Sequence, residues 1–247
     1  MFNLVITSLR PFILALILVA AVCTSCETGP DLTNINKAPT PNPKASPPEQ
    51  ELSGLYKLSG TNENGGAAYD GMLTIANEKD GYKFSWQTAR QKYSGVGVQY
   101  GDVVAATFSE WSDGAGCGVA LYRIGPDGLL NGRIATFGEY TFGTERAERL
   151  EGNSFAGKYS VSGTNNYGKE YSGTIDVKKD GMGYGFTWKT GATSVGFGIW
   201  KGDHAAIGTG GKECSFAVYK IKPNGDLDGR RGSQRSVAFA FETAERQ

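Results

Sequence analysis

The chain writes one pattern twice. Gly54-Leu55-Tyr56 returns as Gly157-Lys158-Tyr159, and Ser59-Gly60-Thr61-Asn62 returns as Ser162-Gly163-Thr164-Asn165. Tyr82-Lys83-Phe84-Ser85-Trp86 returns as Tyr184-Gly185-Phe186-Thr187-Trp188. Cys117, Tyr122, Ile124, Pro126, Gly128, Leu130, Gly132 and Arg133 recur as Cys214, Tyr219, Ile221, Pro223, Gly225, Leu227, Gly229 and Arg230. The whole stretch from Gly54 to Arg149 is matched from Gly157 to Arg246. A unit of this length is too long for a solenoid repeat and long enough to bury its own core. Duplication therefore predicts two similar domains, 52–150 and 153–247. It also supplies an internal control: a residue kept in both copies serves the shared fold, and a residue found in one copy does not.

Within a copy the apolar residues alternate with period two, the signature of half-buried strands. Tyr82, Phe84, Trp86 and Thr88 share one face and Lys83, Ser85 and Gln87 the other; Tyr184, Phe186, Trp188 and Thr190 repeat the arrangement. Turn signals such as Lys79-Asp80-Gly81, Pro126-Asp127-Gly128 and Pro223-Asn224-Gly225 separate the runs. Gly is abundant, at 36 residues, and only Gly29 precedes the first copy. No segment of either copy has helical periodicity with caps. The first copy reads as eight short strands, near 54–61, 69–77, 81–88, 93–99, 102–109, 117–124, 128–135 and 138–146. Sequential strands joined by short turns favour an antiparallel meander, and closure removes its edges. The predicted fold is all-β: two tandem antiparallel up-and-down barrels of about eight strands each. A pair of β-sandwiches is the alternative. A four-bladed propeller ranks third, because the two halves of one copy do not resemble each other.

The strand pattern resembles that of the avidin and lipocalin group of barrels. Those begin with Gly-x-Trp on the first strand and end with an Arg packed over that ring. Here Gly54-Leu55-Tyr56 and Gly157-Lys158-Tyr159 open the copies, and Thr144-Glu145-Arg146 and Glu245-Arg246 stand near their ends. The resemblance implies barrel closure by an Arg–aromatic contact, with Tyr in place of Trp.

The N-terminus reads as an export signal over residues 1–25. One positive charge precedes an unbroken apolar run, Phe12 to Val22, the length of a signal h-region. Val22-Cys23-Thr24-Ser25-Cys26 resembles a bacterial lipobox, in which two small residues precede a lipidated Cys. The resemblance implies Cys26 as the modified residue and a membrane-anchored lipoprotein of the cell envelope; Cys23 stands where that box usually has Leu. Ordinary cleavage near Ala21 and free secretion is the alternative. Residues 26–51 then hold six of the nine prolines. Such a stretch reads as a semi-extended tether of about 3 Å per residue.

Catalytic groups are scarce. Lys plus Arg equals Asp plus Glu at 25 each, so no net field favours nucleic acid. The single histidine, His204, has Val103 as its counterpart and reads as a turn residue beside Asp203. With a single His, absent from the other copy, and no Gly-x-Ser-x-Gly elbow, the sequence offers no recognisable Ser-His-Asp set. Asn224-Gly225-Asp226-Leu227-Asp228-Gly229 opens like a calcium loop, but Arg235 stands where the closing Glu belongs, so a hairpin turn accounts for it better. No spacing supports a metal, and no cofactor is implied. Cys117 and Cys214 occupy equivalent positions, one per copy. They read as buried free thiols, or else as a bridge between domains.

The rings of Phe84, Trp86, Tyr122, Phe186, Trp188 and Tyr219 are expected inside the barrels. They either fill them or line a pocket for a small apolar ligand. Glu110, Trp111 and Asp113 lie in a loop longer than its counterpart and are candidates for contacting a partner. Three functions remain open. The first is a lipid-anchored, non-catalytic binding or adhesion protein presenting two barrels to an extracellular protein or polymer. The second is a carrier of a small hydrophobic ligand. The third is a hydrolase using carboxylates such as Glu145 and Asp102.

Overall fold

The computed structural model describes residues 48–62, 66–109, 114–235 and 238–247. The segment read as an export signal, Cys26 and the stretch read as a tether up to residue 47 lie outside the described residues, as do Glu110, Trp111 and Asp113 of the long loop. The described residues form sixteen strands and no helix. The first eight are β1 (Gly54–Thr61), β2 (Ala68–Glu78), β3 (Gly81–Thr88), β4 (Lys92–Tyr100), β5 (Val103–Ser109), β6 (Gly118–Ile124), β7 (Leu130–Thr136) and β8 (Gly143–Glu151). The second eight are β9 (Gly157–Thr164), β10 (Glu170–Asp180), β11 (Gly183–Thr190), β12 (Ala192–Lys201), β13 (His204–Thr209), β14 (Cys214–Ile221), β15 (Leu227–Ser233) and β16 (Phe239–Arg246). They close into two antiparallel barrels of eight strands each.

The barrels do not coincide with the two copies. β1 to β5 of the first copy close with β14 to β16 of the second, and β16 pairs with β1. The intervening β6 to β13 form the other barrel, in which β13 closes onto β6. One barrel is therefore inserted whole between the fifth and sixth strands of the other. We call them the inserted barrel and the split barrel. The expectation of one barrel over 52–150 and another over 153–247 is corrected accordingly: the boundaries fall after Ser109 and after Thr209, and the junction between copies is a turn inside the inserted barrel. The physical reason is degeneracy. β14 is a copy of β6, so β5 meets the same side-chain pattern from either. Ala106 lies opposite Ala217 and Ala120 lies opposite Ile207 in ladders that equivalent strands would satisfy equally well.

The exchange brings the two crossover segments together. Cys117, just before β6, is bonded to Cys214, the first residue of β14, with their Cα atoms 5.5 Å apart. Both are buried. The reading of free thiols is thereby overturned, and the bridge joins the two points where the chain passes between barrels.

The barrels pack wall to wall. Val96, Val98, Val103 and Ala105 of the split barrel form one apolar cluster with Val119, Leu121, Ala135 and Ala206 of the inserted barrel. Phe197 meets Phe216 and Phe239 at centroid distances of 6.4 and 5.9 Å. This contact explains the run Val103-Val104-Ala105-Ala106, which has no alternation. All seven residues of β5 are buried, because one face lines a barrel and the other lines the contact. Strands buried on both faces read as continuous apolar runs.

Each barrel is stoppered at one end in the same way. The Tyr56 hydroxyl donates to the Leu52 carbonyl (2.7 Å), and the Arg246 guanidinium lies 5.8 Å over the Tyr56 ring while donating to the carbonyls of Glu51 and Ser53 (both 2.8 Å). In the inserted barrel the Tyr159 hydroxyl donates to the Phe155 carbonyl (2.8 Å), with Arg149 5.5 Å over its ring. The Arg–aromatic closure is present, but Arg149 serves it in place of Arg146. The latter sits exposed on the outer wall, paired with Glu148 at 3.0 Å. Residues 48–51, counted with the tether, lie against the folded part: Glu49 pairs with Arg133 at 2.6 Å.

Candidate functional site

The six rings expected inside the barrels are all buried there, regrouped by the exchange. Phe84, Trp86 and Tyr219 share the split barrel, and Tyr122, Phe186 and Trp188 share the inserted one. They do not form an apolar lining. In each barrel the Trp and Tyr converge on a buried carboxylate, with Phe84 and Phe186 stacked on Trp86 and Trp188. In the split barrel Glu242, on β16, is fully buried. It accepts hydrogen bonds from the hydroxyls of Tyr219 and Tyr69 and from the Trp86 indole N–H (3.3 Å). In the inserted barrel Glu145, on β8 and 5% exposed, accepts from the Tyr122 hydroxyl, the Trp188 indole (3.1 Å) and the Tyr171 hydroxyl (2.6 Å).

Glycines make room for these rings. Gly229 and Gly132 stand opposite Tyr219 and Tyr122. A Cβ at Gly229 would meet the Tyr219 ring at 2.3 Å, and one at Gly132 the Tyr122 ring at 2.5 Å. Each ring can therefore lie across the neighbouring strand and reach the carboxylate beyond it, which itself stands opposite the same glycine. Burial holds the Tyr122 and Tyr219 hydroxyls well above the ordinary phenol pKa, and the adjoining Glu145 and Glu242 push them further in the same direction. Tyr69 and Tyr171 are raised for the same two reasons. All four remain proton donors. A buried polar group is tolerated only when its hydrogen bonds are made, and this network makes them. By the internal control it belongs to the shared fold. Glu145 is legible in the sequence only as a candidate acid and Glu242 not at all, because a Glu at an inward position breaks the apolar alternation of its strand.

The two barrels differ above this network. In the split barrel Arg231 points inward, and its guanidinium lies 3.5 Å from the Glu242 carboxylate. It rests on the rings of Tyr69, Tyr93 and Phe108 at 5.7, 5.5 and 4.8 Å. Tyr93 in turn stacks on Trp86 at 5.3 Å, and Phe108 meets the same ring tilted at 4.9 Å. These side chains fill that end of the barrel. Strand register gives their counterparts in the inserted barrel. Ile134 opposes Ala120 as Arg231 opposes Ala217. Ser194 opposes Trp188 as Tyr93 opposes Trp86. Thr209 opposes Gly196 as Phe108 opposes Gly95. Three large plugging side chains are thus replaced by smaller ones, and a cavity of about 390 Å³ opens there. Its floor is Ala120, Glu145 and Trp188, and its exposed rim includes Thr136, Lys169, Glu170 and Ser194. Glu145 and Tyr171 also border a broader recess of about 930 Å³ on the outer wall, shared with Tyr100 and Phe142.

The remaining candidates take structural places. Asp102 lies in the β4–β5 turn of the split barrel, paired with Lys220. Glu145 is inside the other barrel, so the structure does not bring the two proposed hydrolytic carboxylates together. His204 opens β13 and pairs with Asp203 at 2.7 Å. Of the Asn224–Gly229 segment, Asn224 to Asp226 turn between β14 and β15 and Leu227 to Gly229 open β15, and Asp226 accepts the Arg246 backbone N–H at 3.0 Å. Among the described residues no group of three His, Cys, Asp or Glu is placed to hold a metal ion. No protein-family model, curated protein or solved structure matches the chain.

Proposed function

We propose that this is an exported, lipid-anchored binding protein without catalytic activity, in which the inserted barrel takes a small ligand through its open end and the split barrel is a filled partner. The observation that carries the reading is the cavity over Glu145, at the position where the other barrel is plugged by Arg231, Tyr93 and Phe108. A cavity of about 390 Å³ falls at the small end of the range for ligand sites. It combines an aromatic wall with convergent polar groups, as such sites do.

The export signal and the lipobox-like Cys26 support an anchored location in the cell envelope, with the Pro-rich tether holding the barrels clear of the surface. Native mass spectrometry of the protein purified from its source tests the ligand. A small molecule released on denaturation is expected; an empty protein that also binds nothing from a metabolite extract would refute the reading. Membrane fractionation of Cys26→Ser tests the anchor, the expected result being release into the soluble fraction.

A further inference from the structure

The two barrels share one carboxylate network but not its counter-charge. The split barrel carries its own guanidinium: Arg231 sits against Glu242 and on three aromatic rings. The inserted barrel keeps the carboxylate, the Trp and both Tyr donors, and places Ile134 where that Arg stands. Glu145 there accepts from three neutral donors and faces the cavity. Resting on the reading above, we propose that this cavity binds an organic cation, an alkylguanidinium group that takes the place Arg231 fills in the other barrel.

The chemistry follows from the split barrel, where the same protein shows what its network accepts. A guanidinium is planar, weakly hydrated and suited to carboxylates and aromatic faces. Around the cavity, Trp188 and Tyr171 offer π-faces and Glu145 offers the charge, while Ile134 offers an apolar surface to the alkyl stem. The charges at the exposed rim, Lys169 and Glu170, are of opposite sign. They leave Glu145 as the buried determinant. The volume admits a small molecule or a single side chain, not a polypeptide strand.

The test is a titration of the mature chain, isotopically labelled, read by NMR at the Trp188 indole N–H, with the Trp86 indole as internal reference. The probes are n-butylguanidinium, its neutral isostere n-butylurea, and a blocked Gly-Arg-Gly tripeptide. The expected result is a saturable shift of Trp188 and not Trp86 with n-butylguanidinium, and binding of n-butylurea at least tenfold weaker. Binding of the tripeptide as tight as that of the small cation would assign the site to an arginine side chain of a partner, and weaker binding to a free small cation. Ile134→Arg should abolish binding by supplying the missing guanidinium from within. Should that variant not fold, Glu145→Gln should weaken binding tenfold or more. Equal affinity for the urea overturns the cation and leaves the pocket standing. No binding of any probe at millimolar concentration, together with an empty source-purified protein, overturns both. Undiminished binding in both variants places the cation elsewhere and overturns the proposal.

Discussion

The Cys117–Cys214 bridge encloses the inserted barrel and nothing else, so its contribution to stability can be worked out step by step. The bridged residues are 97 positions apart. Loop-closure entropy for that length gives about 4.7 kcal/mol at 25 °C. That loop is held shut in three ways: by the bridge, by β13 pairing with β6, and by β14 pairing with β5. While either barrel stays folded, the loop ends are already together and the bridge adds little. Its stabilisation is felt only in the step that leaves both barrels unfolded. Cys117→Ala/Cys214→Ala should therefore lower the total unfolding free energy by about 4.7 kcal/mol, a drop of roughly 2 M in urea midpoint for an m-value of about 2–3 kcal/mol/M. If one barrel unfolds before the other, the first step should not move and the second should carry the whole loss. Urea unfolding followed by far-UV circular dichroism, with Trp86 and Trp188 signals reporting each barrel, reads both steps. A loss confined to the first step, or no loss in a folded double variant, would refute the reasoning.

Other outcomes follow from the buried networks. Glu242→Gln removes a buried charged acceptor together with the carboxylate that faces the part-buried Arg231 guanidinium, and should cost more than Glu145→Gln, whose partners are neutral and whose loss should be about 1–3 kcal/mol. Equal losses in denaturant unfolding would contradict the difference described between the barrels. Gly229→Ala drives a methyl into the Tyr219 ring and should destabilise by about 1–3 kcal/mol through overpacking; an unchanged melting temperature would count against the close approach. Tyr122 and Tyr219 hold their protons well above the ordinary phenol pKa because they are buried and face carboxylates. The unfolded chain releases those protons near pH 10, so the stability they give is complete below that pH. It falls above it by about 1.4 kcal/mol per pH unit for each tyrosine. Phenolate absorbance against circular dichroism should show these two ionising only as structure is lost, and their titration in the folded state would disprove the assignment.

Most strands were legible from alternation and turn residues. β1, β3 and β6 lie within a residue of their expected limits. β8 was expected at 138–146 and runs Gly143–Glu151. Its inward face is Gly143, Glu145 and Ala147, and a buried Glu between two small residues gives no apolar signal. The same obscurity misplaced the closing guanidinium at Arg146. Barrel membership was illegible for a different reason: two equivalent strands offer β5 the same partner surface, so no local preference distinguishes them. The open end of the inserted barrel was written in single-copy differences. Arg231 against Ile134, and Phe108 against Thr209, were visible in the repeat, but only the register showed that they share one end of a barrel.

The nesting of one barrel within another also orders events in time. Synthesis and export both proceed from the N-terminus, so β6 to β13 emerge as one continuous run, and that unit can close as soon as its last strand appears. β1 to β5 emerge earlier but must wait for β14 to β16, on the far side of the inserted barrel, before their sheet has a second edge to meet. Until then β5 and β1 present open edges, the feature that most invites pairing between neighbouring molecules. The vulnerable interval in the life of this protein is thus set by how long β1 and β5 stay unpartnered, and loss of β16 alone would leave the β1 edge open permanently.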